Sequence, residues 1–382
     1  MTKTSATAKK SRPKERTAYR LVSADQHVNE PPDLWTSRVA KKWRERVPRM
    51  ESLEKGDAWI IEGVKDPINF GMNACAGLPK DEMTPWLRWE RVRKGGYIGA
   101  ERLKELDEDD VDAALLFPTP RLSMGVLTNR DRDLHLAMVQ AYNDWLAEYV
   151  SCAPDRLFGM ILLPACGVRE AVAELKRCLK MPGMQAPTIS CYPHGTATLE
   201  KEDDALWGAI AETGLPLTIH VTLNDKPPTL HTTRIFGVSR NADPQYRMQE
   251  LMFGGVLDRF PDLKVVFTEV DAGWLPYFKE QTDNRYHRQA RATRAELTMP
   301  PSEYFDRHFR FVFVSDAHAI ENRATIGVEN LLWSDDFPHL GGDWPQTQRG
   351  LVQIFANVPK VERDLILAGN ATRLYRLPGL RS

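Results

Sequence analysis

Residues 19–35 read YRLVSADQHVNEPPDLW, a short apolar run that ends on Asp25-Gln26-His27 and gives way to a proline-containing turn. A doubly wound nucleotide-binding sheet usually carries a glycine-rich turn after its first strand. No GxGxxG follows here. Further apolar runs recur along the chain: VDAALLFP (111–118), LFGMILLP (157–164), PTISCY (187–192), LPLTIHV (215–221), LKVVFTEV (263–270), FRFVFVS (309–315) and NLLWSDD (330–336). Several lack strict alternation, as parallel strands covered on both faces do. Between them lie stretches with apolar residues at helical spacing, such as 131–150 and 168–180. Segment 203–214, DDALWGAIAETG, opens on acidic residues and stops at a glycine, the start and stop signals of a helix. Strands alternating with helices predict an α/β fold, a (β/α)8 TIM-type barrel.

The stretch 31–110 is far longer than an ordinary strand-to-helix loop. It holds Trp59, Trp86, Trp89 and the mixed-charge segment WLRWERVRKGG (86–96), and is expected to form a partly helical insertion over the barrel mouth. A lid and an oligomer-contact surface are equal expectations for it. Arg88, Arg91 and Arg93 would suit a substrate carboxylate, which arginine grips with two hydrogen bonds, although such a run is more often a solvated helix face.

Composition narrows the function classes. The 382 residues are 42% hydrophobic and 27% charged, consistent with one large barrel domain over residues 18–382. Lys and Arg number 51 against 52 Asp and Glu, so no net field favours nucleic acid or an anionic membrane. The five cysteines are scattered without a CxxC pair, which argues against a disulfide framework and fits a reducing cytoplasm. The first 17 residues are basic, lack an apolar signal core and read as a disordered leader. No run approaches the ~18 to 20 apolar residues of a membrane helix.

Asp25 and His27, one residue apart in extended chain, project from the same side. A barrel builds its active site at the C-terminal ends of its strands. Alone, Asp-x-His is weak, a histidine ending an apolar run such as His220 is commonly a satisfied core residue, and Asp335 would serve equally as a helix cap. Recurrence changes the balance: the first, fifth and eighth runs each end on a metal-ligand type, and barrel topology brings those ends to one rim. Glu269 and His339 fall at the same level, as ligands of a second metal or as a base and a substrate hook. Their plainer readings are a buried ion pair and a loop histidine. His194, His318 and Asp316 are held in reserve; His135, His231, His287 and His308 are read as structural.

With these residues placed, the sequence resembles the amidohydrolase-related family of the metal-dependent amidohydrolase superfamily, the branch of aminocarboxymuconate-semialdehyde and gamma-resorcylate decarboxylases. The matching pieces are SADQHVNEPPDLW, VDAALLFPT, YNDWLAEY, GLPLTIHV, FPDLKVVFTEVDAGWLPY, IGVENLLWSDDFPHLGGDWP and LAGNATRLYRL, spanning residues 23–377. The resemblance implies a divalent metal at the barrel mouth, held by Asp25 and His27 in the first-strand pair, His220 on the fifth strand and Asp335 on the eighth. It also implies a homo-oligomer, or a hetero-oligomer with a related chain. Two departures stand out: Asp25 replaces the usual His or Glu, and Glu269 occupies the sixth-strand position where decarboxylating relatives commonly carry histidine. The fourth strand offers no lysine for a bridging carbamate.

The expected activity is therefore a hydrolase or decarboxylase acting on a small organic acid, with zinc the first choice of metal. Asp335, Glu269 and His339 are the expected catalytic groups. Three imidazoles and three carboxylates would also suffice for two iron or manganese ions, so an oxygenase is the alternative. A non-catalytic partner subunit is the third expectation.

Overall fold

The computed structural model describes residues 19–228 and 242–379; the leader expected at 1–17 and His231 lie outside the described residues. Eight parallel strands follow one another in chain order: β1 (Val22–His27), β2 (Ala113–Phe117), β3 (Leu157–Leu162), β4 (Met184–Ile189), β5 (Leu217–His220), β6 (Val265–Thr268), β7 (Phe309–Phe313) and β8 (Leu331–Trp333). Helices lie between them, giving the (β/α)8 barrel. Every expected run overlaps one strand, although β4 begins before its run, at Met184. The bounds differ where chemistry sits: β1 runs on through Asp25 and His27, and β8 stops two residues before Asp335.

All residues of β1, β2 and β3 are buried, which explains why these segments read as runs rather than as alternations. Val22, Ala24, Leu115, Phe117, Phe158, Met160, Val266, Val312 and Leu332 fill the barrel interior, and the alternate residues pack on the helices. Tyr375 joins the interior cluster, its hydroxyl 3.2 Å from Thr218 Oγ1, so the C-terminal segment plugs the end of the barrel away from the strand tips. Gly214 ends the helix Asp204–Thr213 in the left-handed conformation at φ 64°. Among the described residues no helix is long and apolar enough to cross a membrane.

The ring closes without a ladder between β8 and β1 among the described residues. Instead the chain just past β8 bonds to β1: Asp336 N donates to Asp25 O (3.2 Å), His27 N to Phe337 O (2.7 Å) and Asp335 N to Ser23 Oγ (3.1 Å).

The insertion is less helical than expected. Its centre is a three-stranded antiparallel sheet of Arg49–Ser52, Asp57–Ile60 and Ile68–Asn69, followed by single 3-10 turns and the helix Gly99–Glu108. These strands are too short and too mixed in polarity to show a period. Trp59 is buried edge-on to Trp35, ring centres 5.4 Å apart. The three arginines do not serve as substrate hooks: Arg88 pairs with Asp57 (2.9 Å), Arg91 with Glu82, and Arg93 with Glu105 (2.9 Å) while lying over the Trp344 ring.

Arg102, from that helix, is completely buried and fastens the insertion to the barrel. Its guanidinium donates to Gly95 O (2.9 Å), Gln26 Oε1 (2.9 Å) and His27 O, and lies over the Phe337 ring. Gln26 in turn donates to Asp335 Oδ2 (2.8 Å). Removing this guanidinium leaves the buried Gln26 Oε1 and His27 O without their donor, a loss of about 1–3 kcal/mol for each acceptor left unpaired. Arg102→Ala should accordingly unfold well below the parent in calorimetry; an unchanged melting temperature would mean that the insertion is fastened elsewhere.

Candidate metal centre

Four strand ends converge at the mouth. Asp25 and His27 come from β1, His220 from β5, Glu269 follows β6, and Asp336 and His339 lie on the turn after β8. The backbone at three of these ends is forced into the left-handed region: Val221 (φ 58°), Glu269 (φ 60°) and Asp336 (φ 52°). Such conformations cost of order 1–3 kcal/mol each and persist where the surroundings over-determine them. Here Val221 N is held by Thr268 O (3.0 Å) and Thr222 N by His220 O (2.7 Å), folding the chain sharply just past the ligand-type histidine.

The nitrogens and oxygens point at one another. His27 Nε2 lies 3.1 Å from His220 Nε2, 3.3 Å from Asp25 Oδ1 and 3.5 Å from Asp336 Oδ1. His220 Nε2 is 3.5 Å from Asp25 Oδ1 and 3.9 Å from Glu269 Oε2. His27 Nδ1 donates to Pro118 O (3.0 Å), which fixes its proton there and leaves Nε2 as a lone pair facing the cluster. The His339 ring stacks on that of His27 with centres 3.8 Å apart. Two overlapping groups result: Asp25, His27, His220 and Glu269, and His27, Glu269, Asp336 and His339.

These residues fit a divalent ion. Asp25 is wholly buried, yet neither of its carboxylate oxygens, nor Oδ1 of buried Asp336, accepts a hydrogen bond. Such oxygens are costly unless something cationic meets them. Edge distances of 3.1–3.9 Å match nitrogen and oxygen atoms each about 2.0–2.2 Å from a common centre.

Titration reports the same conflict. Burial works to raise the Asp25 carboxyl, but the His220 and His27 imidazoles outweigh it and hold the group far below the usual range. Burial, and then repulsion from Asp25, push Asp336 up to about 8. Burial drives His339 down to about 4 and lowers His27, while His220 is raised because Asp25 overcomes its desolvation. Two carboxylates thus compete for charge in one dry pocket, and a dication resolves that competition.

One expected ligand is displaced. Asp335 points away from the cluster, its oxygens taken by Ser23 Oγ (2.7 Å) and Gln26 Nε2 (2.8 Å). Asp336, the next residue, faces the ligands in its place. A turn just beyond the strand inverts which of two adjacent carboxylates looks inward. Among the reserves, His194 is held 2.7 Å from both Asp203 Oδ1 and Thr196 Oγ1. Asp316 accepts from Ala272 N, Gly273 N and Ala319 N as a helix cap, and His318 is exposed beside Glu321. Asn73, unforeseen from sequence, reaches in from the insertion, Nδ2 3.1 Å from His339 Nε2.

The amidohydrolase family model matches residues 58–377. The chain belongs to this amidohydrolase family. It is thereby an enzyme of the metal-dependent superfamily. A curated relative, 2-amino-3-carboxymuconate-6-semialdehyde decarboxylase of Dictyostelium discoideum, is 24% identical over 280 residues, covering 72% of this chain and 76% of the relative. Among solved structures, an amidohydrolase of Mycobacterium avium subsp. paratuberculosis superposes with TM-score 0.71 at 21% identity, over 94% of this chain and 100% of that one. The 5-carboxyvanillate decarboxylase of Novosphingobium aromaticivorans, complexed with manganese and 4-hydroxy-3-methoxy-5-nitrobenzoic acid, gives 0.70 at 18% identity, over 94% and 97%.

The two adjacent aspartates of this amidohydrolase separate experimentally. Asp336→Ala should lower the metal retained per chain about tenfold or more, measured by plasma mass spectrometry, whereas Asp335→Asn should keep the metal and lose thermal stability. The reverse pattern would return the ligand role to Asp335.

Proposed function

We propose that this amidohydrolase is a decarboxylase of a small aromatic or unsaturated carboxylic acid, working with a divalent ion, zinc or manganese. Asp25, His27, His220 and Glu269 would hold the ion, with Asp336 beside them. The observation that carries the proposal is the buried Asp25 carboxylate, both oxygens without a hydrogen bond, facing two imidazole nitrogens at the barrel mouth. Likeness to decarboxylases among both curated and solved relatives supports the substrate class.

A bound divalent ion would supply positive charge to a substrate carboxylate and an adjacent oxygen. The chain's own groups account for the rest. Loss of carbon dioxide leaves an electron pair on carbon that must take up a proton. Solvent supplies that proton; Asp336 Oδ1, 3.0 Å from His339 Nδ1 beside the cluster, can take it up and deliver it, with the His339 ring nitrogen facing the carboxylate once the proton has left. Glu269 adds a carboxylate within reach of both groups.

One ion per chain is expected rather than two. His27 and Glu269 belong to both ligand groups, and His339 Nε2 is already engaged by Asn73. A second ion would find too few uncommitted donors, which weighs against a dinuclear oxygenase.

Two measurements test the proposal. Carbon dioxide release should appear with 5-carboxyvanillate, 2-amino-3-carboxymuconate semialdehyde or an ortho-hydroxybenzoate, and should vanish with a chelator. Hydrolysis of amides or lactones with no decarboxylation anywhere in that panel would make it a hydrolase instead. Separately, the ion-free Asp336 carboxyl, raised to about 8, is protonated at pH 7, so the ion must displace that proton. Loading at pH 7 in weak buffer should release about one proton more per ion from the parent than from Asp336→Asn, an excess that fades above pH 8. Equal release from the two would remove Asp336 from the ion's surroundings.

A further inference from the structure

The insertion enters the metal centre at the turn Gly71–Asn73. Several bonds fix that turn. Asn73 O accepts from Asn29 Nδ2 (2.9 Å), just past β1, and Met72 O accepts from Leu340 N (3.0 Å), just past His339. Ala76 N donates to Pro338 O (3.1 Å) and Gly71 N to Pro85 O (2.9 Å). A side-chain carbon at Gly71 would stand 2.1 Å from Thr84 O, so the turn has no slack on its outer side.

From this fixed position Asn73 Nδ2 lies 3.1 Å from His339 Nε2, the one hydrogen bond that the His339 ring makes among the described residues. The other ring nitrogen, Nδ1, is 3.0 Å from Asp336 Oδ1 without the alignment of a hydrogen bond. With the amide nitrogen facing Nε2, the amide donates, Nε2 accepts and the ring proton sits on Nδ1. That arrangement turns an N–H dipole toward the Asp336 carboxylate. The opposite tautomer, with the amide reversed, would set the Nδ1 lone pair against that carboxylate.

We propose that Asn73 is a positioning residue of this enzyme: it fixes His339 as the Nδ1–H tautomer beside Asp336 and keeps Nε2 out of the coordination sphere. The insertion therefore contributes a functional group to the site and is more than its cover. The consequence for turnover rests on the proton-delivering role given above to Asp336 beside His339; the tautomer itself does not.

The test uses the full-length, zinc-loaded protein with 15N-labelled histidine, the His339 signals being identified by their loss in His339→Gln. The parent should show His339 with Nδ1 protonated and Nε2 unprotonated. Asn73→Asp, whose carboxylate accepts only, should move the proton to Nε2, and Asn73→Ala should give a mixture, both retaining the parent's zinc content and folded spectrum. With any substrate the enzyme turns over, both variants should lose about 10–100-fold in kcat with KM little changed. A parent ring already protonated at Nε2, or a tautomer indifferent to both substitutions, would overturn the proposal. Loss of zinc from folded Asn73→Ala would overturn it too, because Asn73 would then be supporting coordination. Should no substrate be found, the nitrogen spectra still decide the role of Asn73, and only the decarboxylase assignment fails.

Discussion

The meeting of β1 with the chain just beyond β8 is the contact on which the rest depends. It closes the barrel through Asp336 N to Asp25 O and His27 N to Phe337 O, and the same residues present the side chains that could hold a metal ion. The bonds that shut the ring therefore also set how far Asp25 and His27 stand from Asp336. Beneath them Asp335, Gln26, Ser23 and Arg102 form a buried polar layer with named partners for both Asp335 oxygens. Above them Asp25 and Asp336 present oxygens that have none. A satisfied layer supporting an unsatisfied one is how a fold holds charged groups in a strained arrangement that a cation relieves.

The barrel was legible because its strands are buried on both faces, so that β2 and β3 stand out as apolar runs without any need to judge phase. The metal-type residues were legible for the same reason: Asp25, His27 and His220 interrupt otherwise apolar strands. Asp335 against Asp336 was not, because both follow β8 and only the backbone at Asp336, at φ 52°, determines which side chain turns inward. Asn73 carried no local signal at all. It lies in a stretch without periodicity, and only bonds to residues distant in sequence, such as Leu340 N to Met72 O, bring it to His339. The insertion's sheet escaped notice because strands such as RMES, half-exposed throughout, display neither an apolar face nor a clear period.

Glu269 follows β6 and belongs to both groups of metal-type residues. Its carboxylate enters a pocket that already contains Asp25 and Asp336, adding negative charge where a histidine would add none. The donor set becomes more oxygen-rich, a shift toward the preferences of harder cations. The imidazole stacked on His27 comes from the turn after β8.

The ring closure also orders events in time. Ser23 and Asp335, bonded side chain to side chain, are 312 residues apart in the chain, so this bond forms only once the two ends of the barrel have met. Contacts of such long range form late in folding. During synthesis, β1 emerges with Asp25 and His27 exposed and must wait for β8 before the pocket exists. An ion that needs both ends of this site can be captured only after the ring has closed, and a chain stalled before residue 336 has half a site and no closed barrel to hold it.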